Sequence, residues 1–223
     1  MNGTGAAIAP SLSPGREIFE RRGFVLVPAL LEPPLTAFFW SYIHTKFVSR
    51  LLAPGDAQVA NTPSDYGDPA TDGLLEYLRP RFEDLCGRHL LPTYSYFRLY
   101  KHSDALARHK DRPACEFSVS LNVGQVPAEP WALFIEGEDG ACDLRLSPGD
   151  AVLYRGLALA HWRTPFEGQR LAQIFLHYVD RDGPHAGEKY DGRKSLMRRG
   201  QRPEADKAQS GNRVITPDAA TRE

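Results

Sequence analysis

The feature that most constrains the fold of this chain is a change in hydrophobic period near Pro92. Downstream of it, in the segments TYSYFRLYK and CEFSVSLNV, polar or tyrosine side chains mostly alternate with apolar side chains from one residue to the next. Such alternation is typical of strands in an antiparallel sheet whose two faces meet different surroundings. The runs WALFIEG, CDLRL, AVLYRG and LAQIFLHYV supply further strands, and SPGD at 147–150 has the residues of a tight turn.

The first ninety residues have a different pattern. A short helix is expected over 15–23, a strand at GFVLVP, and then a long amphipathic helix whose apolar stripe is Leu35, Phe38, Phe39, Tyr42, Ile43 and Phe47. Residues 53–71 are loop-like, and Asp72 is expected to cap a second helix that Pro80 kinks or ends. Helices followed by many short strands predict a mainly β fold, a jelly-roll barrel or double-stranded β-helix buttressed by the N-terminal helices.

The length and net charge of the chain limit the classes of protein to which it can belong. With 223 residues and no shift of composition, we expect one catalytic domain over 15–190, a disordered lead-in over 1–14 and a partly disordered tail over 191–223. With a net charge of −1, the chain lacks the excess positive charge that is typical of proteins that bind nucleic acid or anionic membrane lipid. The absence of a basic start followed by an apolar run, and three cysteines at no ligand-like spacing, favour a cytoplasmic protein. Oligomeric state is left open.

Two His-x-Asp pairs occur close together in the chain. His102 and Asp104 directly follow a strand-like run, and with Ser103 they occupy a place where the chain must reverse. We therefore assign that pair to a turn and take His109 and Asp111 as candidate metal ligands.

The third candidate ligand is His161, which precedes the strand-like run LAQIFLHYV; its rival His177 lies inside that run and is expected on a non-catalytic strand face. Two imidazoles and one carboxylate form the ligand set that holds non-heme Fe(II) on one side and leaves positions open for a co-substrate and O2. Arg170, nine residues beyond His161, offers a planar fork of donors for a carboxylate. A co-substrate that chelates iron at one end and has a carboxylate at the other fits 2-oxoglutarate.

On these motifs, residues 15–180 resemble the Fe(II)/2-oxoglutarate-dependent dioxygenase superfamily, especially its prolyl-4-hydroxylase-like branch, and FERRGFVLVPALLEP resembles the start of phytanoyl-CoA-hydroxylase-like members. The resemblance implies hydroxylation of an unactivated carbon with release of succinate and CO2. It also implies that Tyr100 hydrogen-bonds the co-substrate and that Ser120 assists Arg170. Leu176 stands where nucleic-acid demethylases carry a second arginine, and Asp111 stands where halogenating relatives carry a small residue, so neither activity is expected.

The substrate is less constrained. Arg98 and Arg112 would both suit an anionic substrate group, although Arg112 could instead pair with an acid such as Glu116, and Trp162 is a candidate pocket wall or a barrel-packing residue. We expect a small molecule, such as an amino acid or natural-product intermediate. The alternatives are a peptidyl hydroxylase of prolyl type and a cupin-like metal-binding barrel that does not use 2-oxoglutarate.

Overall fold

The computed structural model describes residues 13–127 and 129–197. Most of the predicted lead-in and tail, residues 1–12 and 198–223, lies outside the described residues. At the start of the described chain, Ser13 caps the first helix by accepting a hydrogen bond from the Arg16 backbone N–H, and Pro14 occupies the first helical position.

Within these ranges the α-helices are α1 (Pro14–Arg22), α2 (Pro33–Val48) and α3 (Pro69–Cys86). The strands are β1 (Phe24–Val27), β2 (Ser64–Tyr66), β3 (Leu90–Lys101), β4 (Leu106–His109), β5 (Phe117–Val126), β6 (Leu133–Gly137), β7 (Gly140–Leu144), β8 (Ala151–Arg155), β9 (Ala160–Arg163) and β10 (Arg170–Asp180). Two 3-10 segments lie at Pro113–Cys115 and Ala186–Gly192.

The strands form two antiparallel sheets. The larger has the order β1-β8-β5-β10-β3-β2, and the smaller has the order β4-β9-β6-β7. The chain crosses repeatedly from one sheet to the other, and the helices cover the larger sheet from outside. This arrangement confirms the predicted mainly β barrel with buttressing N-terminal helices.

The alternation of β3 and β10 explains how the barrel closes. On β3, Phe97 and Leu99 face outward into the main apolar core, which includes Phe39 and Ile43 of α2 and Leu75 and Phe82 of α3. The opposite face of β3, which carries Tyr94, Tyr96, Arg98 and Tyr100, points into the barrel. On β10 the outward residues are Ala172, Ile174, Leu176 and Tyr178. The barrel interior is therefore lined by polar and aromatic side chains, and the apolar core lies between sheet and helices.

Two details upstream differ from the sequence-based expectation. The cap of α3 is Asp68, which accepts hydrogen bonds from the backbone N–H groups of Ala70 and Thr71, whereas Asp72 lies inside the helix and is fully buried. The helix continues through Pro80. The segment 53–71, expected to be a loop, contains β2 and the start of α3, because short strand pairing to β3 does not need a long apolar run.

The chain after β10 folds back over the barrel. Asp191 is buried, accepts two hydrogen bonds from the Arg112 guanidinium at 2.7 Å each, and also accepts one from the Tyr66 hydroxyl. Arg193 pairs with Asp72 at 3.0 Å. We refer to residues 186–193 as the C-terminal strap. Across the described ranges, every helix is too short or too polar to cross a bilayer.

Candidate active site

Two neighbouring strands of the smaller sheet bring the histidines together. His109 on β4 and His161 on β9 are directly opposed in the antiparallel register, and their ring centroids are 4.3 Å apart. Asp111 follows β4, and its backbone N–H donates to the Gly156 carbonyl at 3.0 Å, which turns the carboxylate toward both rings. The structure thus places the three predicted ligands in one cluster.

The spacing of the ligand atoms suits one metal ion. Asp111 Oδ1 lies 3.7 Å from His109 Nε2 and 3.6 Å from His161 Nε2. Nitrogen and oxygen ligands lie about 2.0–2.2 Å from an ion such as zinc, so two ligands of one ion are at most about 4.4 Å apart. Two histidines and one carboxylate on one side of an ion are the donor set of non-heme Fe(II) sites.

The other ring nitrogens are oriented as metal ligation requires. His109 Nδ1 lies 2.8 Å from the Ala107 carbonyl, and His161 Nδ1 lies 3.2 Å from the Leu159 carbonyl. A carbonyl only accepts, so each Nδ1 carries the proton and each Nε2 presents a lone pair toward Asp111.

The pKa shifts of His109 and Asp111 also favour the protonation states that bind a metal ion. Burial lowers the pKa of His109 below its ordinary value, and His161 acts in the same direction. Burial alone would raise the pKa of Asp111, but the nearby imidazoles of His161, His177 and His109 outweigh it and hold that pKa below its usual value. A neutral imidazole and an ionised carboxylate are the forms that bind a metal ion.

The competing His-x-Asp pair forms a turn, as predicted. Ser103 has a φ of 66° between the exposed His102 and the buried Asp104. Asp104 accepts hydrogen bonds from the Thr62 hydroxyl at 2.8 Å and from the Lys101 backbone N–H at 2.9 Å. Its carboxylate therefore stabilises the reversal between β3 and β4.

Gly156 allows the Asp111 carboxylate its position. A Cβ atom at residue 156 would overlap Asp111 Oδ2 and the Cys115 carbonyl oxygen. Since overpacking costs about 1–3 kcal/mol, we expect Gly156→Ala to lower the free energy of unfolding by about that amount and to weaken metal binding. Gly187→Ala is the matched control, because a Cβ there has open space around it. Urea denaturation with a Co(II) titration measures both effects, and equal behaviour of the two variants would contradict this role for Gly156.

His177 lies nearer the site than expected. The prediction of a non-catalytic strand face was wrong, because His177 shares the interior face of β10 with Gln173 and Phe175. Its Nδ1 lies 3.0 Å from the Ser118 hydroxyl, which in turn lies 2.7 Å from Asp111 Oδ2. Burial lowers the pKa of His177 to about 4. Asp111, Cys115 and His177 form a second group with ligand-like spacing, in which Asp111 is shared.

Arg170 is on the opposite face of β10 from the metal cluster. Its guanidinium lies 5.3 Å from the centre of the Phe47 ring of α2, and its Nη1 donates to the neighbouring Gln169 carbonyl at 3.3 Å. This placement corrects the sequence-based assignment. The cause is strand parity, because Arg170 has the same phase as Ala172 and Ile174, which face the helices.

A different arginine, Arg163 on β9, lies inside the barrel two residues beyond His161. It is 3% exposed, and its guanidinium donates to the Trp131 carbonyl at 2.7 Å and to Gln173 Oε1 at 3.1 Å. Burial lowers its pKa to about 10, and among the described residues no carboxylate offsets that burial. Sequence reasoning missed Arg163, although residues i and i+2 of a strand share a face and His161 was already placed inside.

The residues predicted to assist the co-substrate are connected to Arg163 through Gln173 and Trp131. Gln173 donates from Nε2 to the Ser120 hydroxyl at 2.9 Å, so Ser120 is joined through Gln173 to Arg163 and not to Arg170. Tyr100 is fully buried, and its ring packs edge-on against Trp131 at 5.1 Å. A buried guanidinium such as that of Arg163 is suited to binding a carboxylate.

Comparison with solved structures shows which known proteins have a similar fold. The chain superposes on a prolyl-4-hydroxylase from Pseudomonas putida with a TM-score of 0.61 and 17% identity, over 75% of this chain and 97% of that one. It superposes on the α-ketoglutarate-dependent carbocyclase SnoK of nogalamycin biosynthesis with a TM-score of 0.64 and 13% identity, over 80% and 88% of the two chains. The fold is that of the Fe(II)/2-oxoglutarate oxygenases.

A third structure with the oxygenase fold is HygX from Streptomyces hygroscopicus, solved with nickel, 2-oxoglutarate and hygromycin B bound. Its TM-score is 0.60 at 13% identity, and the match covers 77% of this chain and 88% of that one. No protein-family model and no curated protein sequence matches the chain.

Arg98 is a second buried arginine within this oxygenase fold. It lies on the interior face of β3 and donates from Nη2 to Asp56 at 2.5 Å and to Gln58 at 2.8 Å, and from Nη1 to the Tyr100 hydroxyl at 3.3 Å. The guanidinium lies 5.2–6.0 Å from the ring centres of Tyr96, Phe175 and Tyr100. Its Nε is buried and has no hydrogen-bond partner among the described residues.

The other two predicted substrate residues have structural contacts. Arg112 forms the bidentate pair with Asp191 of the C-terminal strap, whereas Glu116, the acid named as an example of a partner, accepts from the Asp180 backbone N–H. Trp162 is on the outer face of β9, between His161 and Arg163, and its ring stacks on Phe134 at 5.4 Å. These contacts favour the second of the two alternatives for each residue, an acidic partner for Arg112 and a packing role for Trp162.

Proposed function

We propose that this protein is an Fe(II)- and 2-oxoglutarate-dependent oxygenase that hydroxylates a carbon of a small molecule and releases succinate and CO2. The observation that carries the proposal is the convergence of His109, Asp111 and His161, with both Nε2 lone pairs turned toward one carboxylate oxygen. The oxygenase fold of the neighbours and the buried Arg163 in the same barrel add support.

Different residues would bind the metal ion and the co-substrate. His109, Asp111 and His161 would hold the ferrous ion, whose redox chemistry with O2 and 2-oxoglutarate drives the reaction. Arg163 would pair with the distal carboxylate of 2-oxoglutarate, with Ser120 acting through Gln173 and with Tyr100 on the other side of Trp131. A cation bound by His109, Asp111 and His161, with the Arg163 guanidinium in the same barrel, would suit a co-substrate that is anionic at both ends.

Apolar side chains close the co-substrate end of the barrel. Tyr100 packs in a cluster with Val59, Leu106, Phe166 and Leu171, with Trp131 against it. Excluding water from this end lowers the local dielectric constant and strengthens a guanidinium–carboxylate pair. The chain thereby orients the co-substrate and restricts the access of water to the reacting atoms.

The substrate we favour is a small molecule with an anionic group. Arg98 supports this choice, because it faces the interior and has a buried N–H without a partner among the described residues. The loop that carries Asp56 and Gln58 folds over Arg98, which suits a small ligand better than an extended chain. Neighbouring structures include one with a small molecule bound, HygX, and one with a peptide bound, a prolyl hydroxylase from Trichoplax adhaerens.

Succinate formation tests the proposal. The purified protein is mixed with Fe(II), 2-oxoglutarate and O2 and offered amino acids and other small acids, their uncharged amides, and proline-containing peptides. We expect Fe(II)-dependent succinate release that is stimulated by a small acid and not by its amide. Stimulation by peptides alone would establish the peptidyl hydroxylase alternative, and metal binding without any 2-oxoglutarate turnover would establish the cupin-like alternative.

A further inference from the structure

The two oxygens of the Asp111 carboxylate have different surroundings. Oδ1 faces the Nε2 atoms of His109 and His161, whereas Oδ2 lies 2.7 Å from the Ser118 hydroxyl on the other side. Ser118 is fully buried on the interior face of β5. A carboxylate fixed at Oδ2 can rotate little, so Oδ1 is directed toward the two imidazoles.

The hydroxyl of Ser118 has several polar neighbours, among them the Tyr154 hydroxyl, but only one hydrogen to donate. Asp111 Oδ2 is at 2.7 Å and the Cys115 carbonyl at 3.2 Å, and both only accept. The shorter, charge-assisted bond to the carboxylate takes the hydrogen. A further neighbour, His177 Nδ1 at 3.0 Å, must then be a donor to the Ser118 oxygen.

Strand register fixes His177 in this position. On β10 it is paired with Ser118 of β5 on one side and with Tyr94 of β3 on the other. The Tyr94 ring packs on the imidazole with centroids 4.5 Å apart, and His177 is 6% exposed. The central strands of the larger sheet thus hold a chain of two hydrogen bonds that ends on a ligand of the smaller sheet.

We propose that Ser118 and His177 are positioning residues for the metal site: His177 Nδ1–H donates to Ser118 Oγ, Ser118 donates to Asp111 Oδ2, and Asp111 Oδ1 is thereby held for the ion. This inference rests on the proposed function, because it takes His109, Asp111 and His161 as the ligands. Loss of a hydrogen-bond partner of a metal ligand typically weakens metal affinity 10- to 100-fold. We expect this range for Ser118→Ala and for His177→Leu.

The chain offers a matched control and a conservative replacement. Ser120 is also buried on the interior face of β5, two residues from Ser118, but its partner is Gln173. Ser120→Ala should leave the metal affinity unchanged. His177→Asn keeps an amide N–H close to the position of Nδ1, so it should retain most of the affinity that His177→Leu loses.

Titration of the metal-free proteins with Co(II) by calorimetry, without 2-oxoglutarate, measures the affinities, and thermal unfolding monitors folding. The inference is overturned if Ser118→Ala and Ser120→Ala bind Co(II) equally, or if His177→Asn is as weak as His177→Leu. Should Ser118→Ala fail to fold, the two His177 variants decide the question.

Two other outcomes are distinguishable from these. No Co(II) binding by the wild-type protein overturns the proposed function and the inference with it. Binding that is lost in His177→Asn but kept in His109→Ala would place the ion at Asp111, Cys115 and His177, and would overturn the positioning role of His177 by making it a ligand.

Discussion

Replacing His161 with alanine should reduce Fe(II) affinity by more than about 100-fold, a larger loss than removal of an outer hydrogen-bond partner produces. His161 is 3% exposed, and its Nε2 is one of three candidate ligand atoms, with His109 Nε2 and Asp111 Oδ1. With one imidazole absent, the two remaining donors cannot define one side of an octahedral ion. The measurement is an anaerobic titration with Fe(II) and 2-oxoglutarate, followed by the weak visible charge-transfer band of the chelate.

His102→Ala is the control for this experiment. His102 belongs to the other His-x-Asp pair, is exposed, and lies in a turn, with Nδ1 3.3 Å from the Glu167 carbonyl. The band should form in this variant as in the wild type. A band of undiminished strength in His161→Ala, or no band in the wild-type protein, would refute the assignment of the metal ligands.

Replacing Arg163 with glutamine should weaken 2-oxoglutarate binding by about ten- to a hundredfold, because a charge-assisted hydrogen bond contributes about 1.5–3 kcal/mol. Glutamine still offers an amide donor to the Trp131 carbonyl, but it has no charge for the co-substrate carboxylate. The metal affinity should change little. Titration of the same visible band with 2-oxoglutarate at saturating Fe(II) gives the dissociation constant.

The Arg170→Gln variant tests whether the co-substrate carboxylate binds Arg163, as the structure indicates, or Arg170, as the sequence suggested. Its guanidinium lies over Phe47 outside the barrel, so its loss should leave 2-oxoglutarate affinity unchanged. If Arg170→Gln weakens binding and Arg163→Gln does not, the assignment returns to Arg170. Arg163→Lys keeps the charge without the planar fork and should give an intermediate affinity, which distinguishes loss of the anchor from loss of folding.

Much of the fold was predictable, because the relevant signals are local in the sequence. The period of two in TYSYFRLYK correctly separates the two faces of β3. The choice between the two His-x-Asp pairs needed only the turn residues at 102–104. By contrast, the cap of α3 was misplaced by four residues, because Asp68 and Asp72 are both plausible caps and only burial against Ser95 and Arg193 distinguishes them.

The buried Arg163, our proposed co-substrate anchor, was missed for a physical reason. A count of residues along the chain selected Arg170, but a side chain's direction follows strand phase, and Arg170 has the phase of the outward apolar residues of β10. The same rule would have selected Arg163, two residues from His161 on β9. The roles of Ser118, Gln173 and His177 depend on pairing between β5 and β10, which are separated by about fifty residues and whose register the sequence does not state.

The C-terminal strap sets where this folding unit ends. Arg112, adjacent to Asp111, and Asp72, inside α3, each form an ion pair with a residue beyond position 190, Asp191 and Arg193 respectively. A chain shortened to the end of the predicted domain would lose both of these ion pairs, and loss of one partner of a buried pair costs several kcal/mol. Truncated forms made for crystallisation or library screening should therefore retain at least residue 193.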